Sequence, residues 1–256
     1  MKRYFIEVAY KGTAYAGFQV QQNAFTIQEA VEKAMAVLYR EMMVLTGSSR
    51  TDAGVHARQN YFHFDTAVPV APRHIYNLNA LLPEDIVIRQ IIPVKDGAHC
   101  RFDALSRLYR YEVYREKDPF RREFAYYYPY ELSSPVLEAC AAELLGEHDF
   151  TSFSKRNTQV KTFRCRVMES SWSFEAGSCC YRVRANRFLR GMVRGLVGTM
   201  LQVARKGGDA GEIRAILAAR DCRLADFSVP GHGLWLEEVA YEAGYFDEGG
   251  GGGKIL

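Results

Sequence analysis

RYFIEVAYKGTAYAGFQVQQNAFTIQEAVEKAMAVLYR, residues 3–40, sets the architecture. Residues 3–10 alternate, placing Tyr4, Ile6, Val8 and Tyr10 on one face of a strand. Lys11-Gly12-Thr13 then turns the chain. Thr26 and Glu29 stand three apart, the spacing at which a threonine hydroxyl and a glutamate cap a helix start reciprocally. Ile27, Ala30, Val31, Ala34, Val37 and Leu38 follow at helical spacing. A strand leading into a capped amphipathic helix is the first step of an α/β unit.

Working outward, a short strand is expected near 42–46, then a small-residue turn at 47–54 and an alternating strand at 59–65. A helix over Pro72–Leu82 and a strand at 85–92 complete the order strand, helix, strand, strand, helix, strand. That order predicts an open split-βαβ sheet. The second half repeats it loosely. A strand spans Arg107–Arg115, and a helix enters at Ser134-Pro135 and stops at Gly146. Strands near 160–175 and 179–186 are joined at Ala176-Gly177-Ser178. Helices are expected at 187–204 and 210–219, and a last strand at 234–241. The domain reading is 1–104 for the N-terminal half, 105–246 for the C-terminal half, and a flexible glycine-rich tail at 247–256.

Composition narrows the function classes. Hydrophobic residues make up 48% and charged residues 25%, ordinary for a folded protein with a substantial core. The opening MKRYFIEVAY lacks the apolar run of a secretory leader, and no window approaches the roughly 18 apolar residues of a membrane span. A cytoplasmic protein is expected. Six cysteines show no C-x-x-C spacing and read as reduced structural thiols; no metal site is visible in the sequence. The formal net charge is only +3, yet Lys155–Arg194 holds ten Lys or Arg against two acids, Glu169 and Glu175. Such a local field attracts phosphates, although a solvated basic face has the same composition.

Three segments carry chemistry. In SSRTDAGVHARQ, residues 48–59, Asp52 lies among Arg50, Thr51, His56 and Arg58. Cationic neighbours favour an ionised carboxylate, suited to a nucleophile or a base, while the same residues also make a plain tight turn. In SRLYRYEVYR, residues 106–115, Tyr109 and Tyr111 share one strand face and Arg110 the other; tyrosine offers a ring for stacking a base and a polar tip. In RANRFLRGMVRGLVG, residues 184–198, Arg187, Arg190 and Arg194 are spaced to line one helix face beside an apolar stripe that starts at Phe188. In the opening turns of a helix they oppose its dipole, and an external anion would account for them.

These segments, with YKGTAYAGFQ (10–19), LNALLPEDIVI (78–88), HCRFDALSRLYRYEV (99–113), LLGEHDFTSF (144–153) and VPGHGLWL (229–236), resemble the TruA class of tRNA pseudouridine synthases. RTDAGVHA, Arg50–Ala57, is the most specific match. The resemblance implies a mixed α+β pseudouridine synthase fold: two ferredoxin-like halves sharing one central sheet, flanking helices, and a cleft between the halves. It implies a homodimer, without cofactor or metal, that acts on the anticodon stem-loop of tRNA at positions 38, 39 and 40. The family's aspartate falls on Asp52, its active-site tyrosine on Tyr109, and the arginine paired with the aspartate on Arg194. Arg50, Thr51, His56, Arg58, Arg110, Arg187, Arg190 and Leu234 are the expected substrate contacts. Lys11, Phe18, Ser49 and Arg190-Gly191 depart from the usual pattern and bear on which uridines are taken. Attack of Asp52 at C1′ or C6 and formation of a glycal stay open as routes. A non-catalytic RNA-binding relative and an aspartate-nucleophile hydrolase are the competing classes, the second without an accompanying phosphate loop or metal motif.

Overall fold

The computed structural model describes residues 1–156 and 160–247. The chain divides into two compact units: Met1–Leu105 with the segment from Leu236 onward, and Ser106–Trp235. The sequence reading carried the second half to 246, whereas the chain rejoins the first unit at Leu236. Hydrogen bonds explain the return. The Val239 amide donates to Gln59 Oε1 at 3.0 Å, the Leu105 amide to the Ala240 carbonyl at 2.8 Å, and the Tyr241 hydroxyl to the Cys100 carbonyl at 2.6 Å. Beyond Asp247 the tail expected at 247–256 lies outside the described residues.

The first unit contains β1 (Lys2–Tyr10), α1 (Ile27–Tyr39), β2 (Thr46–Gly47), β3 (His56–Thr66), α2 (Arg73–Leu81) and β4 (Ile86–Val94). β1 is central and antiparallel to both neighbours: Ile6 lies opposite Phe62 of β3 and Ile91 of β4. β2 pairs with β3, Thr46 opposite His63, so the order is β4-β1-β3-β2. This is the split-βαβ arrangement predicted from the element order. α1 starts where the capping pair says it should, with the Glu29 amide donating to Thr26 Oγ1 at 3.3 Å. Ile27, Ala30, Val31, Ala34 and Met35 form its buried stripe. Both faces of β1 are covered, because Phe5 packs among Tyr61, Tyr241, Tyr245 and Phe246 on the side opposite Ile6 and Val8. Each such fully buried side chain stabilises the fold by about 1.5–3 kcal/mol.

The second unit contains β5 (Ser106–Tyr114), β6 (Tyr126–Tyr127), α3 (Ser134–Ala142), β7 (Gly146–Asp149), β8 (Arg164–Glu175), β9 (Ser178–Ala185), α4 (Met192–Lys206) and α5 (Ala210–Ala219). β10 (Leu234–Ala240) starts here and passes into the first unit at Leu236. β5, β9, β8 and β7 lie side by side and antiparallel, while β6 adds to β5 in parallel, which makes the sheet mixed. The β8–β9 hairpin turns at Gly177, whose φ of 70° suits glycine. Ten strands and five helices among the described residues make this the mixed α+β class expected.

One helix boundary needs correction. The helix expected at 187–204 begins only at Met192, after Gly191 at φ 74°. Arg187, Phe188 and Arg190 therefore precede the helix and do not share a helical face with Arg194. The register was misleading because Phe188 and Met192 are four apart and both apolar, yet Phe188 packs edge-to-face on Tyr109 of β5, ring centres 5.0 Å apart. No helix of the described residues is long and apolar enough to cross a membrane.

Candidate active site

Asp52 sits on the loop between β2 and β3, and that loop is anchored on every side within the first unit. The Ser48 amide donates to the Tyr61 carbonyl at 2.7 Å, and the Val55 amide to the Asp52 carbonyl at 3.2 Å. The Phe18 amide reaches the Thr51 carbonyl at 3.1 Å, and the Gly54 amide the Tyr15 carbonyl at 3.4 Å. Gly17, at φ 107°, lies so close that a Cβ there would stand 2.9 Å from the Thr51 carbonyl oxygen. A Cβ on Gly12 would overlap the Val55 carbonyl. The glycines of the 10–19 segment thus let its backbone pack against the loop. Asp52 itself is half-buried, between the buried Thr51 and the exposed Ala53.

The neighbours of Asp52 separate into two groups. Arg50 and Arg58 are exposed, and Arg58 Nε lies 3.4 Å from Glu237 Oε1. Thr51 and His56 are buried, His56 completely. The Thr51 hydroxyl shares a 2.8 Å hydrogen bond with the Tyr10 hydroxyl, and His56 Nδ1 accepts the Gly12 amide at 3.1 Å. Enclosed and bonded inward, these two side chains support the loop.

In the second unit Tyr109 occupies β5 opposite Val183 of β9, with its ring buried against Phe188. Arg194 lies in the first turn of α4. Its Nε donates to the Val229 carbonyl at 2.7 Å and an Nη to the Phe227 carbonyl at 3.2 Å. The 226–229 chain reaches the helix because Gly195 and Gly198 leave room: a Cβ on Gly195 would press on the Phe227 ring at 2.7 Å, and one on Gly198 would overlap the Asp226 carbonyl. Arg187 is half-buried and Arg190 exposed; the Arg190 carbonyl accepts the Lys155 amide at 2.9 Å, joining two basic stretches. Arg110 is already engaged. It contacts Glu112 Oε1 at 2.7 Å and lies 4.7 Å over the Trp235 ring. Leu234 is buried at the start of β10.

Sequence reasoning missed three residues that matter for this geometry. In the sequence Tyr10 is one residue of a strand face and Asn60 one of an alternation. Asn60 on the same strand face as Phe62 and Phe64 is the available signal, since an amide on an apolar face needs partners. Trp235, which stacks on Phe124 at 5.7 Å and donates its indole N–H to the Phe124 carbonyl at 3.0 Å, had no sequence signal.

The fold also assembles a set of metal-ligating types that the sequence hid: side-chain donor atoms of His63, His99 and Cys100 lie within 4.8 Å of one another. These groups hydrogen-bond one another and the nearby backbone. His63 Nδ1 faces Cys100 Sγ at 3.2 Å and the Cys100 amide at 3.4 Å, the thiol reaches the Thr46 carbonyl at 3.1 Å, and His99 Nδ1 accepts the Arg101 and Phe102 amides. This is a hydrogen-bonded knot between β3 and the turn after β4. Burial, with the positive charges of His99 and Arg3 nearby, lowers the His63 pKa to about 4.

A family model described as tRNA pseudouridine synthase matches residues 140–242. Full-length relatives extend the likeness. The tRNA pseudouridine synthase A of Parabacteroides distasonis is 42% identical over 243 residues, covering 94% of this chain and 96% of its own. That of Porphyromonas gingivalis is 41% identical, covering 96% and 100%. That of Bacillus subtilis is 39% identical, covering 92% and 97%. The chain belongs to the tRNA pseudouridine synthase A family.

Proposed function

We propose that the chain isomerises uridine to pseudouridine in tRNA, with Asp52 as the reacting carboxylate. The observation that carries this reading is Asp52 itself: a half-exposed carboxylate on a loop held by the inward bonds of Thr51 and His56, in a chain similar over 94% of its length to a tRNA pseudouridine synthase A. The reaction breaks the bond from C1′ to N1 and forms one from C1′ to C5. C5 loses a proton and N1 gains one, so atoms and electrons balance within one nucleotide and no redox partner or activated donor is needed.

In this reading the target base leaves its stack first, at a cost of a few kcal/mol that phosphate contacts offset. The basic stretches from Lys155 to Arg190 supply those contacts. Asp52 acts on the ribose or the base, Tyr109 offers its ring to the uracil and its hydroxyl to the C5 proton, and Arg194 is the cation that serves the carboxylate. The anticodon stem-loop at positions 38, 39 and 40 is the proposed target, and a homodimer in the cytoplasm the proposed state. Base-resolution mapping tests the target: tRNA from cells with and without the protein should differ in pseudouridine at those three positions. Unchanged modification there, with tight tRNA binding by the purified protein, would return the non-catalytic RNA-binding reading.

A further inference from the structure

We infer that Tyr10 and Asn60 are positioning residues for the reaction, acting through a buried hydrogen-bond chain that fixes the stretch leading directly into Asp52. The inference rests on the reading of Asp52 as the reacting group and says what holds it. Asn60, in the middle of β3, is fully buried. Its Nδ2 donates to the Ser49 carbonyl at 2.9 Å and to the Tyr10 hydroxyl at 3.2 Å, while its Oδ1 accepts the Tyr61 amide at 2.9 Å. The Tyr10 hydroxyl, at the end of β1, in turn meets Thr51 Oγ1 at 2.8 Å. One amide and one phenol therefore hold residue 49 by its backbone and residue 51 by its side chain, and Asp52 follows directly.

Burial gives this chain of bonds its stiffness. Tyr10 is 4% exposed and Thr51 8%, so water does not readily replace a lost partner. The aromatic packing supports the same two strands: Phe18 stacks on Phe62 of β3 at 4.5 Å and lies 5.9 Å from Tyr10. An apolar residue at either Tyr10 or Asn60 would fill the same space, so the choice of a phenol beside a carboxamide is a choice of bonds. Both atoms point at the one loop whose geometry the chemistry depends on. Displacing a reacting group by about 1 Å costs on the order of a hundredfold in rate.

The test uses full-length protein and a tRNA substrate, with single-turnover rates measured at saturating excess enzyme so that an inactive fraction does not lower the rate constant. Tyr10→Phe should lower that rate about tenfold to a hundredfold with tRNA affinity within about twofold. Thr51→Val should do the same, and Thr51→Ser, which keeps the hydroxyl, should recover most of the rate. If Asn60→Ala fails to fold, the Tyr10 and Thr51 variants still decide the matter. A Tyr10→Phe rate within twofold of the unmodified protein, or a loss that appears only in tRNA affinity, overturns the inference. An inactive unmodified protein would instead overturn the reading of the reaction itself.

Discussion

The loop that carries Asp52 and the segment that leads into α4 are both short, irregular and polar, and they are held in opposite ways. Around Asp52, side chains and backbone alike point inward: Thr51 to Tyr10, His56 to Gly12, the Ser49 carbonyl to Asn60. Ahead of α4 the ties are mostly to backbone, Asn186 to Arg166, Met192 to Leu189 and Lys155 to Arg190, and an apolar side chain, Phe188, is seated on Tyr109. The Arg190 side chain points to solvent. A group that forms or breaks bonds needs a fixed place, whereas a group that meets a phosphate needs charge and reach. The difference predicts that perturbing the first region changes rate, and perturbing the second changes affinity.

The largest effect short of removing the carboxylate is expected for Arg194→Ala. If Arg194 serves the Asp52 carboxylate as proposed, losing that cation should lower the single-turnover rate by about 10²- to 10³-fold. Arg194→Lys keeps the charge but not the forked donation to the Val229 and Phe227 carbonyls, and should fall between. Rates near normal for the alanine variant would remove Arg194 from the chemistry.

Arg187→Ala with Arg190→Ala should act on binding instead. The slope of log affinity against log salt should fall by about 1 to 2, with the saturated rate within about threefold. A rate collapse at unchanged salt slope would make the two regions alike and break the comparison.

The effect furthest from the chemistry is on stability. His63 has its pKa held at about 4 in the folded state, below the usual 6.5, so the unfolded chain takes up the proton more readily. Its contribution is fully present above about pH 6.5 and is lost as the pH falls toward 4, by at most about 3 kcal/mol. Thermal melts between pH 7 and 4 should show that slope, and His63→Asn should flatten it.

Much of the fold was legible because short-range signals set it. The capping pair Thr26 and Glu29, the alternation in β1 and the glycine hairpin at 177 each predict one element, and the order of elements predicts the sheet. The start of α4 was not legible, since an apolar residue four before Met192 looks the same whether it lies on a helix or is seated on a strand's tyrosine. Asp52 stood out through a local motif. Its supports did not, because Tyr10 lies 41 residues from Thr51 and reaches both Thr51 and Asn60 only when β1 pairs with β3. The inward bonds of Thr51 and His56 were hidden for a related reason: proximity in sequence to a reacting group says nothing about which way a side chain points.

The most direct test is Asp52→Asn, followed in one experiment for tRNA binding and for pseudouridine formed. The side chain keeps its size and loses its charge, and the bonds that hold the loop through residues 49, 51 and 56 are untouched. Affinity and its salt slope should match those of the unmodified protein while turnover falls by about 10³-fold or more. Pseudouridine formation at a substantial fraction of the normal rate would contradict the account.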